Sequence, residues 1–381
     1  MKWEKVKLGE LYEVHNGLSK AGKFFGEGYP FLTFSTVFNN YFIPKQITDL
    51  VQSTEKEQES YSIRRGDVFV TRTSETSDEL GMSCVALKDY PMATYNGFTK
   101  RMRPITNRVF PEYIGYYMRL PSFRGEFRAF STMTTRASLR NEDLLGLEVK
   151  LPSIEIQKQI AGILSVYDDL IENNQKQIKL LEEAAQRLYK EWFVDLRFPG
   201  HENTKIVDGV PEGWRRGLLK ELISVNYGKD HKKVPDDGNI PVYGSGGLMR
   251  KCNKSLFSGE AVLIPRKGSL NNIMYVDETF WTVDTMFYAT MKQPHTAVFV
   301  YFFVKAFDMY SMNIGAAVPS MTTKILDAMD VVIPDKETLE KFDKRAKLYF
   351  NKIKTLQGQN ERLKTARDLL LPKLMSGEVE V

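Results

Sequence analysis

The feature that most constrains the fold of this chain is an internal repeat. The segment WEKVKLGELYEV, which begins at Trp3, resembles WRRGLLKELISV, which begins 211 residues later at Trp214. The segment ASLRNEDLLGLEVKLP, ending at Pro152, resembles PSMTTKILDAMDVVIP, which ends 182 residues later at Pro334. The falling offset makes the first copy 29 residues longer. The sequence therefore predicts two copies of one scaffold that differ in their loops.

Each copy is followed by a segment with the pattern of a long helix. Ser153 and Asp335 are candidate N-caps, and apolar residues then recur in steps of four and three. An antiparallel register with Asn174 opposite Asn360 pairs seam positions at every step, whereas the alternative is that each helix packs only on its own globule. The helix–helix seam is predicted at Ile171, Asn174, Ile178, Leu181, Leu188, Trp192, Phe342, Ala346, Ile353, Leu356, Asn360 and Leu363.

The segments before the two helices have short alternating strands separated by glycine, followed by a shorter helix. Strands are predicted from Val68, Ser83, Ala261, Met274 and Phe287, and helices in EYIGYYMRL and AVFVYFFVKAF. The predicted fold class is α/β (α+β), with two strand-rich globules, each followed by a long helix. We expect the two helices to pair as an antiparallel coiled coil with pseudo-two-fold symmetry.

Composition excludes several classes of protein. The 381 residues include 53 Lys and Arg against 48 Asp and Glu, so the formal net charge is only +5. Cys84 and Cys252 are too few for a disulfide scaffold and form no CxxC pair. The sequence has no signal-peptide stretch and no apolar run of membrane-spanning length. We therefore expect a soluble, cytoplasmic, multidomain protein.

The sequence contains no self-sufficient catalytic motif. It lacks the Pro-Pro-aromatic tetrad with which DNA amino-methyltransferases hold a flipped base, and it lacks a phosphate-binding GxxxxGK[ST] loop. The glycines after Tyr243 precede a basic segment rather than opening a helix, so they are interpreted as a turn. The four histidines are scattered and have no metal-ligand spacing. No catalytic or metal-binding residue is predicted.

Basic loops at matching places in the two copies suggest binding to nucleic acid. Each loop combines Lys or Arg with hydroxyl or aromatic neighbours, which suits contacts to phosphates and base edges. The alternative is that these loops are ordinary solvated surface. The candidate DNA-binding residues are Lys20, Lys23, Arg72, Thr73, Ser74, Thr135, Arg136, Lys229, Lys232, Lys233, Tyr243, Ser245, Arg266, Lys267, Thr323 and Lys324.

Four stretches together resemble one known family. The pattern Trp-x-x-x-x-Leu-x-Glu-Leu begins at Trp3 and again at Trp214. The others are LPSIEIQKQIAGILSVYDDLIENNQKQIKLLEEAAQRLYKEWFVDLRFPG, VPEGW and the C-terminal LLLPKLMSGEV. The chain resembles the DNA-specificity (S) subunit of type I restriction–modification systems over nearly its whole length. The modest net charge departs from what strong DNA binding in isolation would require.

The resemblance implies a division of labour. Target-recognition domains at 1–152 and 198–334 (globule from about 211) would each read half of a bipartite double-stranded DNA target. Conserved helices at 153–197 and 335–381 would fix their spacing and dock two methyltransferase (M) subunits and restriction/translocase (R) subunits. The adenine-N6 methyltransferase and ATP-dependent endonuclease activities would use S-adenosylmethionine, ATP and Mg2+ on those partners, with no cofactor on this chain. The open alternatives are a self-contained DNA enzyme and a coiled-coil adaptor without sequence-dependent DNA binding.

Overall fold

The fold is a mixture of strands and helices, in a computed structural model that describes residues 3–74, 79–129, 137–312 and 320–381. The strands are β1 Glu4–Lys7, β2 Tyr12–Asn16, β3 Phe25–Leu32, β4 Leu50–Val51, β5 Val68–Thr71, β6 Thr73–Ser74, β7 Ser83–Val85, β8 Thr94–Tyr95, β9 Thr99–Pro104, β10 Ala137–Ser138, β11 Glu148–Leu151, β12 Ile206–Val207, β13 Val210–Pro211, β14 Arg215–Leu218, β15 Ile223–Tyr227, β16 Ile240–Gly244, β17 Gly247–Cys252, β18 Phe257–Pro265, β19 Met274–Thr282, β20 Met286–Met291 and β21 Asp330–Ile333. The helices are α1 Leu8–Leu11, α2 Phe34–Asn39, α3 Glu55–Ser60, α4 Pro111–Tyr117, α5 Pro121–Ala129, α6 Asn141–Gly146, α7 Ile154–Tyr189, α8 Ala297–Lys305, α9 Thr323–Asp327 and α10 Lys336–Ser376.

Contacts divide the chain into two compact units. Unit 1 is Met1–Glu172 with Asn360–Val381, and unit 2 is Asn173–Gln359. Each unit therefore contains one strand-rich globule with part of α7 and part of α10. The domains expected from the sequence are consecutive segments, whereas each unit defined by contacts combines or cuts across those segments. The expected boundaries stay a prediction.

The two units use one pattern of strand pairing. In unit 1 the entry strand β1 pairs antiparallel with the exit strand β11, and in unit 2 β14 pairs in the same way with β21. The order β2-β9-β5-β7 in unit 1 has its counterpart in β15-β20-β18-β19 of the six-stranded sheet in unit 2. All five predicted strands and both predicted short helices are present. The prediction of two strand-rich globules of mixed class is confirmed.

A matched pair of glycines shows how closely the backbones correspond. A Cβ atom on Gly17 would lie 2.1 Å from the carbonyl oxygen of Asn96, and one on Gly228 would lie 2.0 Å from that of Val283. No side chain fits at either position, since real Cβ atoms do not approach backbone oxygen so closely. The same close approach of a strand end to a loop therefore requires glycine at both Gly17 and Gly228, which lie 211 residues apart.

The caps of both long helices agree with the sequence prediction. The Oγ of Ser153 accepts a hydrogen bond from the Ile156 N–H at 3.5 Å, at the start of α7. At the start of α10, Asp335 accepts one from the Thr338 N–H at 2.9 Å and a second from the Trp214 indole N–H at 2.9 Å. The second helix therefore has the stronger cap, which also ties it to the start of its own globule.

The two long helices pack antiparallel within each unit. In unit 1 the first half of α7 meets the last part of α10, where Arg367 pairs with Asp168. In unit 2 the end of α7 meets the first half of α10, where the rings of Tyr189 and Phe342 have centroids 6.3 Å apart. The prediction of paired helices is thus confirmed; pseudo-two-fold symmetry stays a prediction. Of the predicted seam, Ile171, Asn174, Leu188, Trp192, Phe342, Ala346, Ile353, Leu356 and Asn360 are buried, and Ile178, Leu181 and Leu363 are half-buried.

Candidate nucleic-acid interface

Arg72 and Arg266 occupy the same backbone position in the two units. Arg72 follows β5, and Arg266 follows β18. The carbonyl oxygen of Arg72 accepts a hydrogen bond from Leu139 N–H at 2.9 Å, and that of Arg266 accepts one from Met321 N–H at 2.9 Å. Their own N–H groups donate to the carbonyls of Phe98 at 3.0 Å and Thr285 at 2.8 Å. In each unit, two other segments hydrogen-bond to the residue that follows the strand. The backbone of both arginines is therefore held rigidly.

The side chain of Arg72 lies in a cluster of polar groups. Its Nη1 donates to the Oδ1 of Asn16 at 3.4 Å, and its buried Nε has no hydrogen-bond partner among the described residues. Asn16 pairs across the sheet with Lys100, which is only 6 % exposed and donates from Nζ to the Oδ1 of Asn141. Two cationic side chains are therefore held together on amide partners.

Electrostatics leave this cluster positive. Burial lowers the pKa of Lys100, and the charge of Arg72 lowers it further, while Asp143 acts in the opposite direction. Asp143 is itself paired with Arg140, whose Nε lies 2.9 Å from its Oδ2. A buried lysine beside an arginine is costly unless hydrogen-bond acceptors complete the site. Acceptor-rich groups such as phosphate oxygens or base edges meet that requirement.

The equivalent arginine in unit 2 has aromatic rather than polar neighbours. The guanidinium carbon of Arg266 lies 5.6 Å from the ring centroid of Tyr227, and its Nη1 donates to the Asp284 carbonyl at 3.3 Å. Tyr227 packs edge-on against Phe287, with ring centroids 5.0 Å apart. Tyr227 is 54 % exposed, so the stacked pair reaches the surface of its unit. An arginine on an aromatic face keeps its outer N–H groups free to donate.

The loop after β15 presents three exposed lysines. Lys229 is held by backbone hydrogen bonds, from its N–H to Thr282 at 2.9 Å and from the Trp281 indole to its carbonyl at 3.0 Å. A hydrogen bond from the Lys232 N–H at 3.0 Å is the main cause of a lowered pKa of Asp230. The side chains of Lys229, Lys232 and Lys233 are exposed and suited to phosphate contacts.

Several other predicted residues are engaged within their own unit. The Nζ of Lys20 lies 2.8 Å from the Oε2 of Glu57. The Nζ atoms of Lys20 and Lys23 each lie 5.2 Å from the ring centroid of Phe24. The hydroxyl of Tyr243 donates to Glu278 at 2.5 Å, and burial, followed by this bond, raises its pKa. Lys20 and Tyr243 are therefore less available to a ligand than Lys23, which is exposed.

The remaining predicted residues lie beside these elements or outside the described part of the chain. Lys267 is exposed and its backbone bridges to Ser320, and the half-buried Ser245 lies in the turn after β16. Thr323 and Lys324 open α9, after its cap Thr322. Thr73 and Ser74 form β6, which pairs with β10, but their side chains are outside the described structure, as are residues Thr135 and Arg136 altogether.

Three residues next to the arginines were not predicted from the sequence: Asn16, Lys100 and Tyr227. Lys100 had a detectable signal, because TKRMRP concentrates three basic residues in one short segment. Arg101 and Arg103 both donate to the Ser62 carbonyl, and Arg103 also pairs with Asp67 at 2.6 Å, although the buried Nε of Arg101 has no partner among the described residues. Lys100 stands apart because its neighbours are Arg72 and an amide.

Within the described ranges, no group of three or more His, Cys, Asp or Glu side chains is placed to hold a metal ion. No helix in the described part of the chain is both long and apolar enough to span a bilayer.

Comparisons with known proteins agree with one another. The family model described as the type I restriction modification DNA specificity domain matches residues 1–183 and 211–365. The chain is 25% identical to the type I restriction enzyme MjaIX specificity subunit of Methanocaldococcus jannaschii, over 100% of this chain and 94% of that one. It is 23% identical to the HindI specificity subunit of Haemophilus influenzae, over 99% of each chain. A crystal structure of a type I S subunit from M. genitalium has the same fold, with a TM-score of 0.58, 18% identity and coverage of 98% of this chain and 96% of that one.

Proposed function

Because the chain belongs to the type I restriction modification DNA specificity family, we propose that it reads a bipartite DNA target, one half with each strand-rich globule. The observation that carries the proposal is the pair of arginines at one backbone position, set among different side chains in the two units. Two globules that share a fold but differ in the side chains around the arginine suit a target whose halves differ in sequence.

The long helices would set the distance between the half-sites. α7 belongs to unit 1 up to Glu172 and to unit 2 from Asn173, and α10 passes between the units at Gln359 and Asn360. Continuous helices with packed partners resist bending, so they act as a spacer, as a rigid dimer fixes the spacing of two operator half-sites.

The partners would supply the chemistry. Methyltransferase subunits, two of them, and restriction/translocase subunits would dock on the helices and globules. S-adenosylmethionine, ATP and Mg2+ would be bound by those subunits, and this chain would contribute recognition and assembly without catalysis. The absence of catalytic motifs from the sequence supports that division.

An exchange of globules tests the two-part reading. Residues 1–152 would be replaced by the matching region of a relative, and the variant co-expressed with the methyltransferase. Genomic methylation should change in one half of the target and keep the other half. A matched exchange of residues 211–334 should have the reciprocal effect. If either exchange alters both halves, modular recognition is wrong.

An insertion tests the spacer. Four residues added to both helices at the unit boundary, after Glu172 and after Gln359, would lengthen each by about 6 Å, one helical turn, and rotate the seam by about 40°. The same half-sites should be methylated with a gap longer by one or two base pairs. Four residues added between Asp208 and Gly209, in the turn joining β12 and β13, are the control and should leave the gap unchanged. A longer gap in the control alone would assign the spacing to the loops.

Two alternatives predict different results in simple assays. A self-contained DNA enzyme would transfer labelled methyl groups from S-adenosylmethionine to DNA, or cut DNA, without a partner. A coiled-coil adaptor would show no sequence-dependent DNA binding even with the methyltransferase present. We expect neither result from the purified chain and its complex.

A further inference from the structure

We propose that Arg72 and Arg266 are the matched specificity-determining residues of the two units, each reading a guanine in its own half-site. This inference rests on the proposed function and deepens it, because it assigns base recognition to two residues among sixteen candidates. Both arginines directly follow a sheet strand, at a backbone position defined by the same two hydrogen bonds. Only rigid backbone can hold a side chain precisely enough for base readout.

Arginine is suited to one base in particular. Guanine presents two acceptors, O6 and N7, on its major-groove edge, and the guanidinium fork donates to both at once. Lysine cannot reproduce that geometry, although it keeps the charge. Lys232 and Lys233 lie on an exposed loop and make no side-chain hydrogen bond or ion pair within the described ranges, so they suit phosphates instead.

In unit 1 one nitrogen of the Arg72 guanidinium has a hydrogen-bond acceptor, and another has none among the described residues. Asn16 accepts from Nη1 at 3.4 Å, whereas Nε is buried without a partner among the described residues. The neighbouring Lys100 adds a second cation that is fixed by Asn141. The cluster therefore holds two cations on two neutral amide acceptors, and the edge of a guanine would bring further acceptors to the outer guanidinium nitrogens of Arg72.

In unit 2 the equivalent positions give the same residue a different support. Tyr227 replaces Asn16 and Phe287 replaces Lys100 at the same register of the sheet, as the pairs Asn16–Lys100 and Tyr227–Phe287 show. Arg266 is oriented by the Tyr227 ring and the Asp284 carbonyl. The differing supports give the two arginines different neighbours on the DNA, so each half-site has its own flanking preference.

The test uses the full chain co-expressed and purified with its methyltransferase. Genomic methylation is mapped for Arg72→Lys and Arg266→Lys, and binding is measured on duplexes that carry each single base-pair change. Arg72→Lys should lose discrimination at one G·C pair of one half-site by about 5- to 150-fold, and Arg266→Lys at one G·C pair of the other. Asn16→Ala and Tyr227→Leu should weaken discrimination at the same two positions by a smaller factor.

Lys56→Ala in unit 1 and Lys254→Ala in unit 2, which remove exposed charges, should leave the recognised sequence unchanged. Melting temperatures separate readout from folding, since a purely structural arginine would lower them without relaxing a single base position. Full discrimination in both lysine variants, a half-site without a G·C pair, or relaxation of both half-sites by one variant would overturn the inference. Failure of the proposed function looks different: the unaltered complex would then methylate no two-part sequence.

Discussion

The two globules are attached to the long helices by different chemistry. In unit 1 the apolar packing of both helices on the globule is joined by a polar cluster: Asp168 on α7 accepts from Arg367 on α10 and, at 2.5 Å, from the hydroxyl of Tyr116 on α4. Arg367 also lies 4.8 Å from the ring centroid of Tyr41. In unit 2 the attachment is mainly aromatic, and Phe193 packs edge-on against Phe299 and Phe342 with centroids 4.8 Å apart in each case.

The difference has consequences for what each attachment tolerates. Burial, and next the charge of Asp168, raise the pKa of Tyr116, so its hydroxyl stays protonated and donates at any physiological pH. The half-buried carboxylate of Asp168 depends on the partners that offset its desolvation. The aromatic cluster in unit 2 depends on shape and area, which a similar ring can replace. Unit 2 also has polar contacts between α10 and the globule: Lys347 Nζ lies 2.9 Å from Glu260, Asp343 Oδ2 lies 2.8 Å from His295 Nδ1, and Lys354 Nζ donates to the Asp277 carbonyl at 3.0 Å.

The largest expected effect is on the aromatic attachment. Phe342→Ala removes a fully buried ring that packs on Tyr189 at the end of α7 and on Trp192 and Phe193 just after it, and should lower the free energy of unfolding by about 3–5 kcal/mol. Urea unfolding gives the size, and hydrogen exchange should show lost protection in unit 2. Phe342→Leu is the control and should cost much less. Equal losses in both units would mean that the units do not unfold separately.

The next effect is on the polar attachment. Arg367→Met keeps the apolar stem but leaves Asp168 without its cation, and should cost about 2 kcal/mol. Adding Asp168→Asn to that variant removes the stranded charge while keeping an acceptor for Tyr116, so the double variant should recover part of the loss. Urea unfolding of the four chains completes the cycle. A double variant less stable than the single one would show that the pair is not the source of the loss.

A smaller effect separates the two helix caps. Burial would raise the pKa of Asp335, but hydrogen bonds from Thr338 and Trp214 outweigh it, so the pKa lies below its ordinary value of 3.8. A lowered pKa stabilises the fold above pH 3.8 and the gain is lost as the pH falls through the folded value. Asp335→Asn should therefore cost about 1 kcal/mol at neutral pH and progressively less in acid. Ser153→Ala should show a smaller cost without this pH dependence.

The smallest effect is a gain in stability. Gly162 lies on the exposed face of α7, and a Cβ added there meets no atom within 4 Å. Gly162→Ala should raise the free energy of unfolding by about 0.5–1 kcal/mol, because alanine loses less backbone entropy in a helix. Gly17→Ala is the contrasting variant and should destabilise the fold. A neutral Gly17→Ala would contradict the close approach to Asn96.

Much of the fold was readable from local pattern. The repeat, the strand beginning at Val68, the caps Ser153 and Asp335, and the heptad positions depend on neighbours in the chain or on fixed periodicity, so the sequence alone contains them. The candidate loops at Arg72 and Arg266 were also found this way, since they follow equivalent strands. The choice of these two arginines among the sixteen candidates could not be made from local pattern, because it depends on which side chains face them.

The sequence by itself therefore determined the two scaffolds, the long helices and the family. Only the tertiary structure decided which charged side chains are paired within the protein and which are exposed to a ligand. Lys20 looks like Lys229 in sequence, yet Glu57 neutralises the first and the second is exposed. Asn16, Lys100 and Arg72 are distant in the chain and meet only when β2, β9 and β5 pair. Strand pairing brings distant residues together by long-range contacts that no local pattern encodes, and charge and desolvation act only at the resulting distances.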